Sequence, residues 1–585
     1  MILHALKEYY DRKSADPDSD IAPEGWEWKE IHFIIALDRN GAFLQFEDMR
    51  EGEGNKKRGK PFLVPQGVKK GSNITPNLLW DTPDYIFGVE AVEEKTDGVK
   101  IKKISLDRRG AEKRKSFSDR IQTELLKTSK TSAVIRFLES VELSDMEKNH
   151  HWEEIVKTKA VMSFRFDDEL DLYCQTQEVK DAVNNQAGNE KAEGICLVTG
   201  ERDTISVIHT SIKGVWNAQP SGANIVSFQK DSGYDSYGKK QGLNAPIGEK
   251  AMFAYTTALN SLLKSSQRIQ IGDASTVFWS DRKTQFEMDF PSFLAEPSKD
   301  NPDAGTLAIN NLFDSVKSGG YVEDTGDEKF FLLGLSPNNA RISIRLWKTG
   351  TVSEFARNIR QHFEDLKIIK AKTEPEYYSL WRLLVNASVQ DKSENIPPNI
   401  AGEFLRSIID GVPYPATILQ LVLRRIKSDT KWGANKAARI ALVKAYLNRY
   451  MRSYKPNEKE FTMELDKEQT SQGYQLGRLF AVLEKIQEEA TNPNATIRER
   501  YYGAACSAPV TVFPTLLRLK NHHLAKIEKK GLVIYFERLI GEIMKPPFYD
   551  FPPHLNLHEQ GKFAIGYYHQ RQDFFTSKDN KDKEL

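Results

Sequence analysis

Hydrophobic residues in the first 350 positions occur in short alternating runs, which are typical of strands. The runs HFIIALD and GAFLQFED, separated by Arg39-Asn40-Gly41, predict a hairpin because a turn that contains Asn-Gly favours a tight reversal. A second hairpin is predicted in FLLGLSPNNARISIRLW, with its turn at residues 336–339. Further strands are predicted at FLVP, MSFRFDD, GICLVTG, TISVIHT, NIVSF and TVFWS.

After residue 351 the apolar residues recur at helical spacing, with Pro or Gly between the segments. Helices are predicted in ATILQLVLRRIKSD, ANKAARIALVKAYLNRYMR and GYQLGRLFAVLEKIQEEA, and one more at the amino terminus in MILHALKEYYDRK. The pattern predicts an α+β protein, in which a mixed α/β part with irregular recognition loops precedes an all-helical part made of helical bundles. The expected ranges are a mixed part at 1–350, a basic helical region at 351–460, a helical bundle at 461–575 and a disordered tail at 576–585.

Composition narrows the class of protein. The chain has 585 residues, of which 39% are hydrophobic, enough for several packed domains. No apolar run reaches the ~18 residues of a membrane span, and no export segment is visible. Three cysteines, Cys174, Cys196 and Cys506, lack paired spacing, so we expect buried thiols in a cytoplasmic protein without a metal site or another cofactor.

Charge is segregated along the chain, although the net charge is only +1. Residues 55–70 contain six Lys/Arg and no acid, residues 95–136 contain thirteen against five, and residues 411–455 contain ten against one. Local fields of one sign attract a polyanion even when the whole protein is close to neutral. A solvated helix face remains an alternative interpretation of each block.

Residues 211–246, SIKGVWNAQPSGANIVSFQKDSGYDSYGKKQGLNAP, combine glycines, amides, lysines and aromatic rings. Glycine permits close backbone approach, amides both donate and accept, lysine binds phosphate, and Trp216, Tyr234 and Tyr237 offer faces for base stacking. A second polar loop, VPQGVKKGSNITPNLLWD, has similar chemistry, and its amides and lysines can address base edges. Both stretches predict nucleic-acid recognition, and we expect Trp80 to belong to the core.

Catalytic motifs are weak. Gly233, Gly238 and Lys239 have the spacing of a phosphate-binding loop, but Lys240 replaces the magnesium-binding hydroxyl and Pro246 interrupts the helix that should follow. Adjacent histidines diverge on a helix and rarely share a metal. Four acids at positions 167, 168, 169 and 171 could bind magnesium in a nuclease, although a solvated edge is the commoner role of such a run. We therefore expect no catalytic residues.

Several long phrases resemble the large subunit of the type I-C CRISPR Cascade effector complex. They are MILHALKEYYDR, FLVPQGVKKGSNITPNLLWD, CLVTGE, residues 212–246, FAYTTALNSLL, LGLSPNNARISIRLW and NIPPNIAGEFLRSIIDGVPYP, followed by YYGAACSAPVTVFPTLLRLKNHHLAKI and FPPHLNLHEQGKFAIGYYHQRQDFF. They follow the order of that family and span nearly the whole chain.

The resemblance implies a non-enzymatic DNA-binding subunit active in antiviral defence. It would lie at the guide RNA 5′ handle, recognise the protospacer-adjacent motif in double-stranded target DNA, and aid duplex opening and R-loop formation. Its implied partners are the Cascade backbone and guide-processing subunits, a small helical subunit, the displaced DNA strand and a recruited helicase-nuclease, with no membrane. In this arrangement protein reads a short duplex element and base pairing reads the long sequence.

Physical reasoning assigns candidate residues to these tasks. Motif reading or phosphate contact in the duplex is expected of Lys69, Lys70, Ser72, Asn73, Asn77, Lys213, Gln219, Ser221, Gly222, Asn224, Ser236, Tyr237, Lys239, Lys240 and Asn244. A basic path for the displaced strand is expected of Arg424, Arg425, Lys427, Lys431, Lys436, Arg439 and Lys444.

The carboxy-terminal helices resemble the small Cascade subunit, which members of this subtype are thought to make by internal translation. Met463 is placed well for such a start. Two alternatives from other classes stay open: a metal-dependent nuclease that uses the acids near Asp168, and a free-standing RNA-binding protein.

Overall fold

The computed structural model describes residues 1–52, 57–68, 70, 73–96, 99–187, 194–229, 238–295, 304–318, 327–371, 373–429, 436–546, 548 and 550–581. They form two compact units: unit 1 comprises residues 1–212 and 224–261, and unit 2 comprises residues 213–223 and 262–585. The bounds of these units differ from the four ranges expected from the sequence, because the strands up to residue 351 and the helices after it share unit 2. Those four ranges stay predictions.

Unit 1 contains most of the strands. Its elements are α1 (Ile2–Ser14), β1 (Trp26–Ile31), β2 (Phe33–Leu37), β3 (Phe43–Asp48), β4 (Arg50–Glu51), β5 (Arg58–Pro65), β6 (Trp80–Asp81), α2 (Pro83–Ile86), β7 (Val89–Thr96), β8 (Val99–Leu106), α3 (Gly110–Glu124), α4 (Ser129–Ser140), α5 (Leu143–Met146), α6 (Trp152–Thr158), β9 (Met162–Phe166), α7 (Gln177–Ala187), β10 (Gly194–Ile195) and β11 (Arg202–Asp203). Helix α8 (Glu249–Lys264) runs across the boundary between the units.

The main sheet of unit 1 has the order β3-β2-β9-β6, with β2 and β9 parallel and the outer pairs antiparallel. Strand β2 is buried at every position, as expected of a central strand with both faces covered. The predicted β2–β3 hairpin is confirmed, and Asp38 Oδ1 accepts from the amides of Asn40 (2.8 Å) and Ala42 (2.7 Å) in its turn. Strand β5 pairs instead with β1 and β4 in a separate sheet.

Three strand predictions in residues 194–228 are wrong or too long. GICLVTG forms only the two-residue β10, TISVIHT forms one isolated bridge from Ile205 to Gly248, and NIVSF forms no strand. The backbone of this region bonds to loops instead, as in Ser206 N to Ile247 O at 2.9 Å and Leu197 N to Pro246 O at 2.9 Å. The alternation of apolar and polar residues alone does not distinguish a segment that bonds to loops from a strand that pairs in a sheet.

Unit 2 begins with a second sheet and continues in helices. Its elements are β12 (Arg268–Ile271), β13 (Ala274–Ser280), α9 (Gln285–Leu294), α10 (Ala304–Ser318), β14 (Lys329–Asn338), β15 (Arg341–Thr351), α11 (Val352–Leu366), α12 (Leu380–Ala387), α13 (Pro398–Asp410), α14 (Ala416–Ser428), α15 (Lys436–Tyr454), α16 (Gln472–Thr491), α17 (Ile497–Ser507), α18 (Phe513–Leu524), α19 (Lys530–Ile543) and α20 (Leu557–Lys581).

The sheet of unit 2 is antiparallel in the order β12-β13-β14-β15, and its second hairpin reverses at residues 339–340, later than predicted. The change from strand to helix is sharp because the Thr351 hydroxyl caps α11 by accepting from Glu354 N at 3.2 Å. Aromatic residues of the sheet, such as Phe278 and Phe330, share one core with the helices. The predicted α+β class, with helices dominating the carboxy-terminal part, is confirmed.

Helices α16 and α20 pack closely in the carboxy-terminal part. A Cβ on Gly477 would overlap the Phe563 carbonyl, and one on Gly566 would overlap the Tyr474 carbonyl, so both positions require glycine. Helix α20 continues to Lys581, into the range predicted as a disordered tail, and residues 582–585 lie outside the described part. No described helix is long and apolar enough to cross a membrane.

Candidate nucleic-acid interface

Buried Asp81 organises the first recognition loop, which joins β5 to β6 in unit 1. Its carboxylate is 1% exposed, accepts from the amides of Asn77 (2.9 Å) and Thr82 (2.8 Å), and forms an ion pair with Lys70. Burial raises the pKa of Asp81 and lowers the pKa of Lys70, while their mutual attraction opposes both shifts. The Lys70 ammonium also lies 3.5 Å from the centre of the Tyr85 ring. Lys70 is thus already bound within the protein.

Other contacts fix the two ends of this loop. Val68 N donates to Asn77 Oδ1 at 3.0 Å, Arg120 Nη1 donates to Pro76 O at 2.5 Å, and the buried Trp80 indole donates to Pro65 O at 2.8 Å. The expected burial of Trp80 is confirmed. Asn77 is only 3% exposed, so the prediction that its side chain contacts DNA is wrong, and it supports the loop instead.

Asn73 is the exposed amide of the same loop. Its side chain is exposed and makes no hydrogen bond to a residue that the structure describes, while Asn77 and Asp81 hold the loop. Lys69 and Ser72, which flank it among the candidates, lie outside the described residues. Asn73 is therefore the described member of this loop that can read a base edge.

The second recognition stretch divides between the two units. Residues 213–223 belong to unit 2, where Trp216 N donates to Ser275 Oγ at 2.9 Å and Gly222 N donates to Gln219 O at 2.8 Å. The Trp216 side chain is 53% exposed, as a stacking role requires. Three of the four candidates in this segment are exposed and Gly222 is half-buried; the exposed ones are Lys213, Gln219 and Ser221.

The remaining part of the stretch belongs to unit 1 and presents Lys239 and Lys240. Both side chains are exposed and form no ion pair with a described residue. They precede a 3-10 turn, Gln241–Asn244, in which Gly242 N donates to Val207 O at 3.0 Å. A Cβ at Gly242 would lie 2.6 Å from that carbonyl oxygen, so only glycine allows this close approach. The backbone that follows the two lysines is therefore anchored to the rest of unit 1.

Two half-buried amide candidates in unit 1 donate to backbone carbonyls. Asn224 Nδ2 donates to His209 O (2.8 Å) and Thr210 O (3.4 Å), and Asn244 Nδ2 donates to Lys239 O (3.0 Å) and Gln241 O (3.0 Å). Their amino groups thus support the backbone, and contact of these side chains with DNA stays a prediction. Ser236 and Tyr237 lie outside the described residues, as does Tyr234. No described hydrogen bond or ion pair joins this turn to the loop of Asn73.

The predicted basic path in unit 2 is largely internal. Arg439 is 2% exposed; it donates to Asn386 O at 2.8 Å and pairs with Asp391 at 2.5 Å and with Asp429. Lys444 is 3% exposed, and burial lowers its pKa to about 8. The prediction that these two residues contact DNA is wrong because α15 is a central helix of the core.

The remaining residues of the predicted basic path differ in whether they have partners within the protein. Arg425 pairs with Asp429 at 3.5 Å and Asp391 at 3.7 Å, and Lys427 donates to Gln560 Oε1 at 2.7 Å and Ser507 Oγ at 3.1 Å. Arg424 is exposed and makes no ion pair with a described residue. Lys431 and the side chain of Lys436 lie outside the described part of the chain. A continuous path is therefore not present among the described candidates.

Two of the four acids of the nuclease alternative form ion pairs. Arg39 Nη2 contacts Asp168 Oδ2 at 2.6 Å and Glu169 Oε1 at 2.8 Å, and Lys130 contacts Glu169 at 2.6 Å. The hydrogen bond from Arg39 holds the pKa of Asp168 below its usual value. Within the described ranges, no group of three or more His, Cys, Asp or Glu residues could hold a metal ion. The three cysteines are buried, as expected.

Sequence reasoning missed one polar cavity, of about 190 Å³, in unit 2. Arg345 and Arg406 line it from β15 and α13, which are distant in the sequence and share no motif. Only the packing of this helix on the sheet brings the two arginines together.

Comparison with protein families identifies a relationship for the chain. A family model described as CRISPR-associated protein (Cas_Csd1) matches residues 6–575. A search of curated proteins gives no match.

Proposed function

Because the chain belongs to the CRISPR-associated protein family Cas_Csd1, we propose that it is the large subunit of a type I-C Cascade complex and that it reads the protospacer-adjacent motif in double-stranded DNA. The observation that carries the proposal is the match to this family along almost the whole chain. The exposed amide of Asn73, on a loop held by buried Asp81, adds a group suited to reading a base edge.

The proposed task divides recognition between protein and RNA. A few protein groups read a short duplex element, and pairing with the guide reads the long target sequence. Asn73 supplies base contact, and Lys239 and Lys240 supply phosphate contact on an anchored turn. Gln219, Ser221 and Lys213 offer further exposed polar groups in unit 2.

After motif reading, the chain aids duplex opening and R-loop formation. Exposed Trp216 offers a ring on which an unpaired base stacks, and exposed Arg424 offers a phosphate contact for the displaced strand. The chain is proposed to act in the cytoplasm without catalytic activity of its own, so cleavage belongs to a recruited helicase-nuclease. Its other partners are the guide RNA 5′ handle, the Cascade backbone and guide-processing subunits, and the small helical subunit.

The small subunit is proposed to start at Met463 of the same message. Met463 is 49% exposed in the segment between α15 and α16, so a polypeptide of residues 463–585 would contain helices α16 to α20 intact. Those helices share an aromatic cluster in which Phe480 lies 6.0 Å from Phe563 and 5.9 Å from Tyr567.

Mass spectrometry of the purified complex tests the internal start. A second polypeptide that begins at residue 463 is expected, and Met463→Leu should remove it while the full-length chain remains. Detection of full-length chain alone, or of an amino terminus far from 463, would reject the internal start without affecting the motif-reading proposal.

Reconstitution tests the main proposal. The guide-containing complex is assembled with and without this chain, and its affinity is measured at fixed salt for duplexes that differ only in the base pairs that flank the target. Flank-dependent binding only in the presence of this chain is expected. Binding that ignores the flank, or that survives without the chain, would contradict the proposal.

A further inference from the structure

Asn73 lies between two residues that contact the same tyrosine. Lys70 precedes it in the loop and Thr75 follows it. The Lys70 ammonium lies 3.5 Å from the centre of the Tyr85 ring, and the Thr75 backbone amide donates a hydrogen bond to the Tyr85 hydroxyl. The backbone on both sides of the proposed reading residue is thus attached to one side chain.

Contacts with α3 hold Tyr85 in turn. Tyr85 belongs to the short helix α2 and is 5% exposed, and its ring centre lies 5.4 Å from the ammonium of Lys113 on α3. A cation close to an aromatic face is attracted by the electrons of the ring. Lys113 also pairs with Asp84 at 2.8 Å and with Asp107 at 2.6 Å. These contacts fix α2, and with it Tyr85, relative to α3.

Thr82 connects these ion pairs to the ion pair that holds the loop. Its amide donates to Asp81 Oδ1 at 2.8 Å, and its hydroxyl donates to Asp84 Oδ1 at 2.6 Å. Asp81 is the carboxylate that pairs with Lys70. Asp84 is one of the two carboxylates that pair with Lys113. The recognition loop is therefore joined to α3 by an unbroken series of contacts.

The ring and the hydroxyl of Tyr85 contribute different contacts. Phenylalanine at this position would keep a ring beside Lys70, but it would leave the Thr75 amide without its acceptor. The backbone that follows Asn73 would then be held less firmly. A hydrogen bond to a base edge weakens steeply when its geometry changes, whereas attraction to phosphate depends mainly on charge. Loss of the hydroxyl should therefore affect base reading more than it affects phosphate contact.

We propose that Tyr85 is a positioning residue for motif reading: its ring and its hydroxyl hold the loop in the orientation in which Asn73 meets a base edge. The inference rests on the proposed function, because it takes Asn73 as the residue that reads the flank. Tyr85 is buried and acts through the loop rather than by touching DNA. It therefore sets the specificity of duplex binding, with little effect on the affinity for DNA of any sequence.

Flank discrimination by the assembled complex tests this role. The ratio of affinities for the correct and a scrambled flank is measured at fixed salt with wild-type chain, Tyr85→Phe, Asn73→Ala and the double variant. Tyr10→Phe is the matched control, since the Tyr10 hydroxyl also makes a buried hydrogen bond to backbone in unit 1, with Ala22 O at 3.1 Å. Urea unfolding of each purified chain measures its stability in parallel.

Tyr85→Phe should lower the affinity ratio about fivefold, the equivalent of one lost hydrogen bond, while the affinity for the scrambled flank stays as in wild type. Tyr10→Phe should be destabilised in urea to a similar extent and keep the wild-type ratio. In the double variant the ratio should equal that of Asn73→Ala alone, because Tyr85 acts only through this amide. A merely structural role of Tyr85 would lower the affinity for both flanks together.

Lys70→Met removes the other contact of the Tyr85 ring and repeats the test if Tyr85→Phe fails to fold. Methionine keeps an unbranched apolar side chain but loses the ammonium, and with it the ion pair to Asp81. The affinity ratio should fall again, with no further loss when Lys70→Met is combined with Asn73→Ala. The slope of log affinity against log salt should stay unchanged, whereas a slope reduced by about 1 would show that Lys70 contacts phosphate instead.

The same measurements separate the two proposals. A ratio that Tyr85→Phe leaves unchanged in a folded chain would overturn the positioning role, and motif reading would stand. An equal loss with Tyr10→Phe, or an additive loss in the double variant with Asn73→Ala, would also overturn it. A ratio close to one with wild-type chain would instead reject motif reading, and the positioning role with it.

Discussion

Two asparagines in one loop should respond to alanine substitution in opposite ways. Asn77 is 3% exposed, and its Oδ1 accepts from Val68 N at 3.0 Å, so Asn77→Ala removes a partly buried hydrogen bond. Losing one such hydrogen bond costs about 0.5–1.5 kcal/mol. We expect Asn77→Ala to lower the free energy of unfolding by about 1 kcal/mol, while the backbone bond from Asn77 N to Asp81 at 2.9 Å is retained.

Asn73→Ala should weaken DNA binding while leaving the stability of the chain almost unchanged. Its side chain is exposed and unbonded among the described residues, so the free energy of unfolding should change by less than about 0.5 kcal/mol. Duplex binding by the assembled complex should weaken by about 1–3 kcal/mol if this amide reads a base.

The assay pairs urea unfolding of the purified chain with duplex affinity of the complex at one salt concentration. Equal destabilisation by Asn73→Ala and Asn77→Ala would refute the distinction between a reading residue and a supporting residue. Unchanged duplex affinity with Asn73→Ala would show that this loop does not read the flank.

Three further perturbations follow from the same contacts. Lys239→Ala with Lys240→Ala should leave unfolding unchanged and reduce the slope of log affinity against log salt by about 1–2, as fewer phosphates are neutralised. Arg439→Met should cost about 3 kcal/mol in urea unfolding because it leaves two carboxylates and a carbonyl without their buried partner, whereas Arg424→Ala should change only the salt dependence of DNA binding. Burial lowers the pKa of His209 to about 4, so between pH 6.5 and pH 4 the unfolded chain binds more protons than the folded chain. The free energy of unfolding should therefore decrease by up to about 3 kcal/mol as the pH falls from 6.5 to 4. His209→Asn should make the free energy of unfolding less dependent on pH in this range.

Local patterns predicted much of the fold. The β2–β3 hairpin and the helices α14, α15 and α16 follow from short-range rules, since turn chemistry and apolar spacing act within a few residues. The strand prediction at 204–210 failed because the backbone of this segment bonds to distant loops, which the alternation of apolar and polar residues does not encode. Contacts between residues far apart in the sequence decide those regions.

The candidate site shows the same limit more strongly. The ten Lys and Arg residues in 411–455 predicted a basic surface, yet the side chains of Arg439 and Lys444 on α15 are buried in the core. The partners of Arg439 include Asp391, which lies outside that window. Charge counts cannot show which lysines and arginines are already neutralised, and no pattern marks Arg345 and Arg406 as neighbours. Exposure and pairing had to come from the folded chain.

Flank discrimination by the complete complex tests the central claim most directly. The ratio of affinities for the correct and a scrambled flanking element is measured at fixed salt for complexes that contain wild-type chain, Asn73→Ala or no chain. The account predicts a large affinity ratio with wild-type chain and a ratio close to one without the chain. With Asn73→Ala, the difference in binding free energy between the two flanks should be smaller by about 1–3 kcal/mol. A ratio that persists without this chain would contradict the claim that it reads the motif.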